Sequence, residues 1–203
     1  MTEKDLLNQI RKKFLAPLIG TSIVTIVVIL SLIFAILRRP NQNLFEMIFV
    51  ALLVVFIVGS AMFVELYQYL TPQKNIFFRK YGKPAEAILL VNDALSESAI
   101  YTNDKITITE NYIYNPNDLS TLLRINDVLV VFEQYTSDNK KEYACVGVVD
   151  HWGVQQLFKF KIDDVSTVRK TISVIRENFP DIKIGLNEKT VMFVRENTKK
   201  LAE

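Results

Sequence analysis

Residues 14–37 read FLAPLIGTSIVTIVVILSLIFAIL and residues 47–64 read MIFVALLVVFIVGSAMFV; neither stretch holds a charged side chain. A hydrocarbon layer about 30 Å thick takes roughly 20 helical residues to cross, and both runs are close to that length. The pair therefore predicts a membrane α-helical hairpin, with spans at 14–37 and 44–70 joined by an extracytoplasmic turn at 38–43. Buried core helices would be shorter and would carry polar residues on one face. A secretory leader would end in a small-residue cleavage site. Here the first run ends in Ile36-Leu37-Arg38-Arg39-Pro40, which offers none.

The net charge of +2 conceals an uneven distribution. Residues 1–72 contain six basic residues (Lys4, Arg11, Lys12, Lys13, Arg38, Arg39) and four acidic ones (Glu3, Asp5, Glu46, Glu65). Residues 73–83 add Lys74, Arg79, Lys80 and Lys83 with no acid, and the remainder sets 14 basic against 18 acidic residues, a balance of −4. Lysine and arginine are retained on the cytoplasmic side of short loops. Four precede the first span and four follow the second, against two in the turn, so both termini are expected in the cytoplasm of a multi-pass protein of the cell membrane. Lys74, Arg79, Lys80 and Lys83 are the candidate membrane-surface contacts, each worth about 1 kcal/mol beside an anionic leaflet. An acidic distal domain lacks the basic face that nucleic acid requires, so no nucleic-acid partner is expected.

Before the first span, Thr2 and Asp5 are spaced as a capping box, and Leu6, Leu7, Ile10 and Phe14 share one side, which predicts an N-terminal amphipathic segment over 1–13. Ser31 and Ala35 are spaced for close helix approach, and Gly59, Ser60 and Ala61 cluster in the second run. Residues 71–83 read as a basic juxtamembrane linker. Pro84 then suits the first turn of a helix with Ile88, Leu89 and Leu95 as its apolar stripe.

From Ser98 the hydrophobic period becomes two. Ile106 and Ile108 alternate with Thr107 and Thr109. Turns are predicted at Glu110-Asn111 and Asn115-Pro116-Asn117-Asp118, and strands at 112–114, 121–125, 128–135, 143–149 and around Phe158, Phe160 and Ile162. Residues 136–141 read as a polar loop. Asp163 or Asp164 is placed to cap a helix carrying Val165, Val168, Ile172, Ile175 and Phe179, and Pro180 stops it. Asn187 is placed to cap a last helix from Glu188 to about Leu201.

The stretches KITITENYIY (105–114) and LRINDVLVVF (123–132), followed by strands and an amphipathic helix, resemble bacterial pleckstrin-homology-like domains. The segment NFPDIKIGL (178–186) is similar to uncharacterised bacterial two-span membrane proteins that carry such a domain. The resemblance implies an α+β cytoplasmic domain over 84–203, an antiparallel β-barrel or roll capped by a C-terminal amphipathic helix, with no assigned catalytic residues. Lipid-binding members of that fold use basic residues in the first hairpin. Here Lys105 is accompanied by Asp104, Glu110 and Asp118, so recognition of a specific lipid headgroup is not expected.

Chemistry is sparse. His151, in Asp150-His151-Trp152-Gly153, is the single histidine, and Cys145 the single cysteine. Two residues make neither a zinc site nor a hydrolase triad. No glycine spacing cradles a phosphate. The expected role is thus a non-enzymatic binding or scaffolding module without cofactor or metal, held at the lipid bilayer and meeting a protein partner or a second copy of the chain. The alternative is an accessory subunit of a transporter or envelope complex that uses its spans as the contact surface.

Overall fold

The computed structural model describes residues 1–38, 44–138 and 141–198. The chain divides into two compact units, Thr2–Ile76 and Phe77–Glu203, the latter with Met1.

The first unit is a helix pair, α1 (Glu3–Arg38) and α2 (Leu44–Leu70), packed on one another and followed by a 3-10 turn at Pro72–Lys74. Thr2 and Asp5 form the expected box: Thr2 N donates to Asp5 Oδ2 (3.0 Å) and Asp5 N to Thr2 Oγ1 (3.2 Å). The Thr2 hydroxyl and amide hold the Asp5 carboxyl below its ordinary range. The amphipathic segment is not a separate element, because α1 runs unbroken through Pro17 to Arg38. Leu6 and Ile10 are buried, and Leu7 and Phe14 are half-buried. The predicted turn lies outside the described residues from Arg39 to Asn43.

Both helices are long and apolar enough to cross a membrane, and none of the most apolar window of either is buried within the chain. Hydroxyls within them are satisfied by their own backbone: Ser22 donates to Leu18 O (2.7 Å), Thr25 to Thr21 O (2.7 Å) and Ser60 to Ile57 O (2.7 Å). That arrangement leaves these polar groups no need of water.

The second unit is an α+β domain. Within the stretch read as a basic linker, α3 (Ile76–Tyr81) buries Phe77 and Phe78. Pro84 opens α4 (Pro84–Ser96) as predicted, but the buried face is Ala87, Leu90, Val91 and Ala94, and Leu89 is 70% exposed. Two hydrogen bonds hold the C-terminal end of the helix. Tyr112 OH donates to Asp93 Oδ2 (2.6 Å), and Asn111 Nδ2 donates to Glu97 Oε1 (2.8 Å).

Among the described residues eight strands follow, in two four-stranded sheets. The first is the antiparallel series β1 (Tyr101–Thr102), β2 (Thr107–Ile108), β3 (Tyr112–Asn115) and β4 (Asp118–Arg124). The second has the order β7 (Gln155–Lys161), β6 (Lys141–Asp150), β5 (Val128–Asp138) and β8 (Lys183–Ile184), with β8 parallel to β5. Among the described residues the closed barrel is not formed. A 3-10 turn at Ile125–Asp127 separates β4 from β5, so these two strands are not hydrogen-bonded neighbours and the sheets stay distinct.

One core joins them: Ile108, Ile113 and Leu123 from the first sheet meet Val131, Val146 and Phe158 from the second. Helix α5 (Val165–Asn178) adds Val168, Ile172 and Ile175 to that core and touches β5, β6 and β7. On the other face of β5, Leu129, Val130 and Phe132 pack with Phe193 and Val194 of α6 (Glu188–Asn197). Burial on both faces explains the unbroken apolar run from Val128 to Phe132.

One expectation needs correction. The polar loop at 136–141 is largely strand, since Thr136, Ser137 and Asp138 pair with Tyr143, Glu142 and Lys141. Asp164 takes the N-cap position of α5 as expected but makes no side-chain capping bond, and it and Asp163 lie in a 3-10 turn at Ile162–Asp164 that feeds the helix. Asn187 does cap α6, its side chain accepting from Thr190 N (3.1 Å). The expected end of that helix near Leu201 lies outside the described residues.

Candidate functional site

Sequence patterning singled out the Asp150-His151-Trp152-Gly153 turn and the four basic residues after α2, and one of those four meets that turn. Asp150 is fully buried at the end of β6. Its Oδ1 accepts from Trp152 N (3.0 Å) and Val154 N (2.9 Å), and its Oδ2 takes an ion pair from Lys80 Nζ on α3. The backbone closes the same loop, with Gly153 N donating to Asp150 O (2.9 Å) and His151 N to Asp127 O (2.8 Å). Gly153 sits at φ 71°, a left-handed position that costs glycine little. A side chain would also press on Thr198 at 3.3 Å.

Aromatic rings enclose the pair. Lys80 Nζ lies 5.5 Å from the centre of the Trp152 ring, within cation–π range. Tyr81 meets Trp152 edge-on at 5.8 Å and Phe77 at 5.4 Å. The Tyr81 hydroxyl accepts from Arg124 N (3.3 Å), and the Arg124 guanidinium lies 5.6 Å from the Tyr81 ring. Burial, reinforced by the Asp127 charge, pushes the Tyr81 phenol well above its ordinary range. The Lys80 and Asp150 side chains are 2% and 0% exposed, so each charge depends on the other.

Of the four residues expected at the membrane surface, Lys80 has its side chain enclosed by Asp150 and Trp152. Arg79 and Lys83 are exposed. Lys74 is exposed too and donates to the Tyr67 hydroxyl.

Asp150 and His151 make no dyad. Asp150 is engaged by Lys80 and two amides, whereas His151 Nδ1 lies 3.1 Å from the carbonyl of Asn197 in α6. Beside His151 an open groove of about 410 Å³ runs between the 3-10 turn before β5 and α6, walled by Asn126, Leu129, Phe179, Ile182 and Phe193. Its lining mixes these apolar side chains with the amides of Asn126, Asn178 and Asn197, the His151 imidazole and the Asp181 carboxyl. Among the described residues no group of three or more His, Cys, Asp or Glu is placed to hold a metal ion. Cys145 is fully buried in β6, and that burial raises its thiol above its ordinary range.

Sequence reasoning missed Lys80, Tyr81 and Arg124 as neighbours of the turn. The available signal was the aromatic-basic alternation of Phe77-Phe78-Arg79-Lys80-Tyr81, which lies in α3. No protein-family model, no curated protein and no solved structure matches the chain.

Proposed function

We propose that the chain is a membrane-anchored binding module, with α1 and α2 crossing the bilayer and the two-sheet domain engaging a protein partner at the inner face. The observation that carries the anchor is that no part of either apolar window is buried within the chain. Side chains such as Phe56, 76% exposed, and Leu52, 65% exposed, would each forfeit about 1.5–3 kcal/mol in water that lipid returns. Lys74, Arg79 and Lys83 sit after the second helix and favour its C-terminal end at the cytoplasmic face. Two sheets sharing a core, with α5 against the second, support a pleckstrin-homology-like reading of the domain, although β8 and α6 are additions to that plan.

The groove beside His151 is the partner surface in this account. Its frame is held by the Lys80–Asp150 pair, which keeps the turn at its edge in one conformation. A photo-crosslinking residue placed at Asn126 or Phe193 in the full chain should capture a discrete adduct in native membranes, while one at Lys159, on the exposed side of β7, should not. Equal capture at all three positions would remove the groove from the account. A second reading, assembly through the spans, draws on Gly20 and Gly59, where an added Cβ would meet nothing within 4 Å. Their smallness is therefore not used for packing inside the chain. Gly59→Leu would disrupt a span-mediated complex and leave groove crosslinking unchanged.

A further inference from the structure

The helix pair encloses a groove of about 420 Å³ at the end where α2 gives way to the 3-10 turn. From the groove we infer a binding site for one anionic phospholipid, with its phosphate at Lys74 and its upper acyl chain against Phe14, Phe63 and Val64; the inference rests on the membrane reading above.

The lining changes character along one direction. Phe14 and Val64 are the terminal residues of the two uncharged runs, so both mark the edge of the hydrocarbon layer on the same side of the hairpin. Three residues at about 1.5 Å each put Tyr67 about 4–5 Å beyond Val64, inside a headgroup layer of roughly 5–7 Å per leaflet. Thr71 and Lys74 continue the wall outward. Apolar surface thus meets hydrogen-bonding surface at the depth where a glycerophospholipid makes the same change. The volume falls within the 300–1,000 Å³ typical of small-molecule sites.

Charge selects the lipid class. Lys74 donates to the neutral Tyr67 hydroxyl and lies 5.1 Å from the centre of that ring. Neither contact cancels its charge, and residues 66–85 contain no Asp or Glu. Lys80, by contrast, is neutralised by Asp150. Accepting from Lys74 leaves the Tyr67 O–H able to donate to a phosphate oxygen, and two N–H groups of Lys74 remain to do the same. No inositol-type multivalent cluster is present in this lining, so the site reads negative charge and not headgroup identity.

The test is native mass spectrometry of the full chain in mild detergent with equimolar phosphatidylglycerol and phosphatidylcholine of identical acyl chains. One phosphatidylglycerol should be retained in preference. Lys74→Ala should reduce that preference about fivefold, equivalent to about 1 kcal/mol for one interfacial cation. Lys83→Ala, which removes an exposed charge that does not line the groove, should change it less than twofold. Val64→Trp should fill the apolar part and abolish retention with every charge in place. Equal losses for Lys74→Ala and Lys83→Ala, or full retention by Val64→Trp, would overturn the site while leaving the anchor intact. A chain that stays monodisperse without detergent would overturn both. Unfolding temperatures matched to the parent within a few degrees establish that the variants are folded.

Discussion

Replacing Asp150 with Asn keeps an acceptor for Trp152 N and Val154 N and removes the negative charge that faces Lys80. The Lys80 side chain is 2% exposed, so its ammonium has no route to water without opening α3 from the turn. Breaking a buried pair on one side typically costs about 3–5 kcal/mol, because the remaining charge is left uncompensated. Set against a usual domain stability of about 5–15 kcal/mol, that is a large share. Lys80→Met should cost less, since the carboxylate left behind still accepts two backbone N–H bonds at 3.0 and 2.9 Å. The double variant, Lys80→Met with Asp150→Asn, buries no charge, and the two losses should fail to add by about 2–3 kcal/mol. Trp152 is the single tryptophan and lies against both Lys80 and Tyr81, so its fluorescence follows this cluster through a urea titration in detergent. Additivity within about 0.5 kcal/mol would refute the mutual dependence of the two charges.

Other outcomes follow from the same structure. An added Cβ at Gly147 would lie 2.5–2.9 Å from the buried Phe132 ring, so Gly147→Ala should destabilise the domain by about 1–3 kcal/mol in the same titration. Asn187→Ala should cost about 1 kcal/mol, seen as faster hydrogen exchange in the first turn of α6. Burial and the bond to Asp93 push the Tyr112 phenol up to about 12. The folded state therefore holds that proton more tightly than the unfolded chain, and the stability this group contributes should be constant below pH 10 and fall between pH 10 and about 12. Tyr112→Phe should flatten that fall in unfolding measured across the range. Cys145 should resist a thiol reagent in the native chain and react fully in denaturant.

Local rules made part of this fold legible. Thr2 with Asp5, Pro84 and Asn187 act within four residues of themselves, and each does what its spacing predicts. Long-range geometry was not legible in the same way. The stripe Ile88, Leu89, Leu95 is a sound helical pattern, yet Ala87 and Ala94 allow a closer approach and Asp93 and Glu97 hold the C-terminal end of the helix. Thr136-Ser137-Asp138 looked like a loop because it is polar, and it is strand because Lys141-Glu142-Tyr143 supplies the ladder. The pairing of Lys80 was not legible because its partner lies 70 positions away in sequence. A charge pattern shows where cations are placed along a chain; it does not show which of them the fold will neutralise.

The central claim is that α1 and α2 cross the membrane and leave both ends of the chain on one side. With Cys145→Ala as background, single substitutions Thr2→Cys, Asn41→Cys and Glu188→Cys can be probed in intact cells with a membrane-impermeant maleimide. The account predicts labelling at position 41 alone, and labelling at 2 and 188 only after permeabilisation. Labelling at 2 or 188 in intact cells, or recovery of the chain in the soluble fraction, would contradict it.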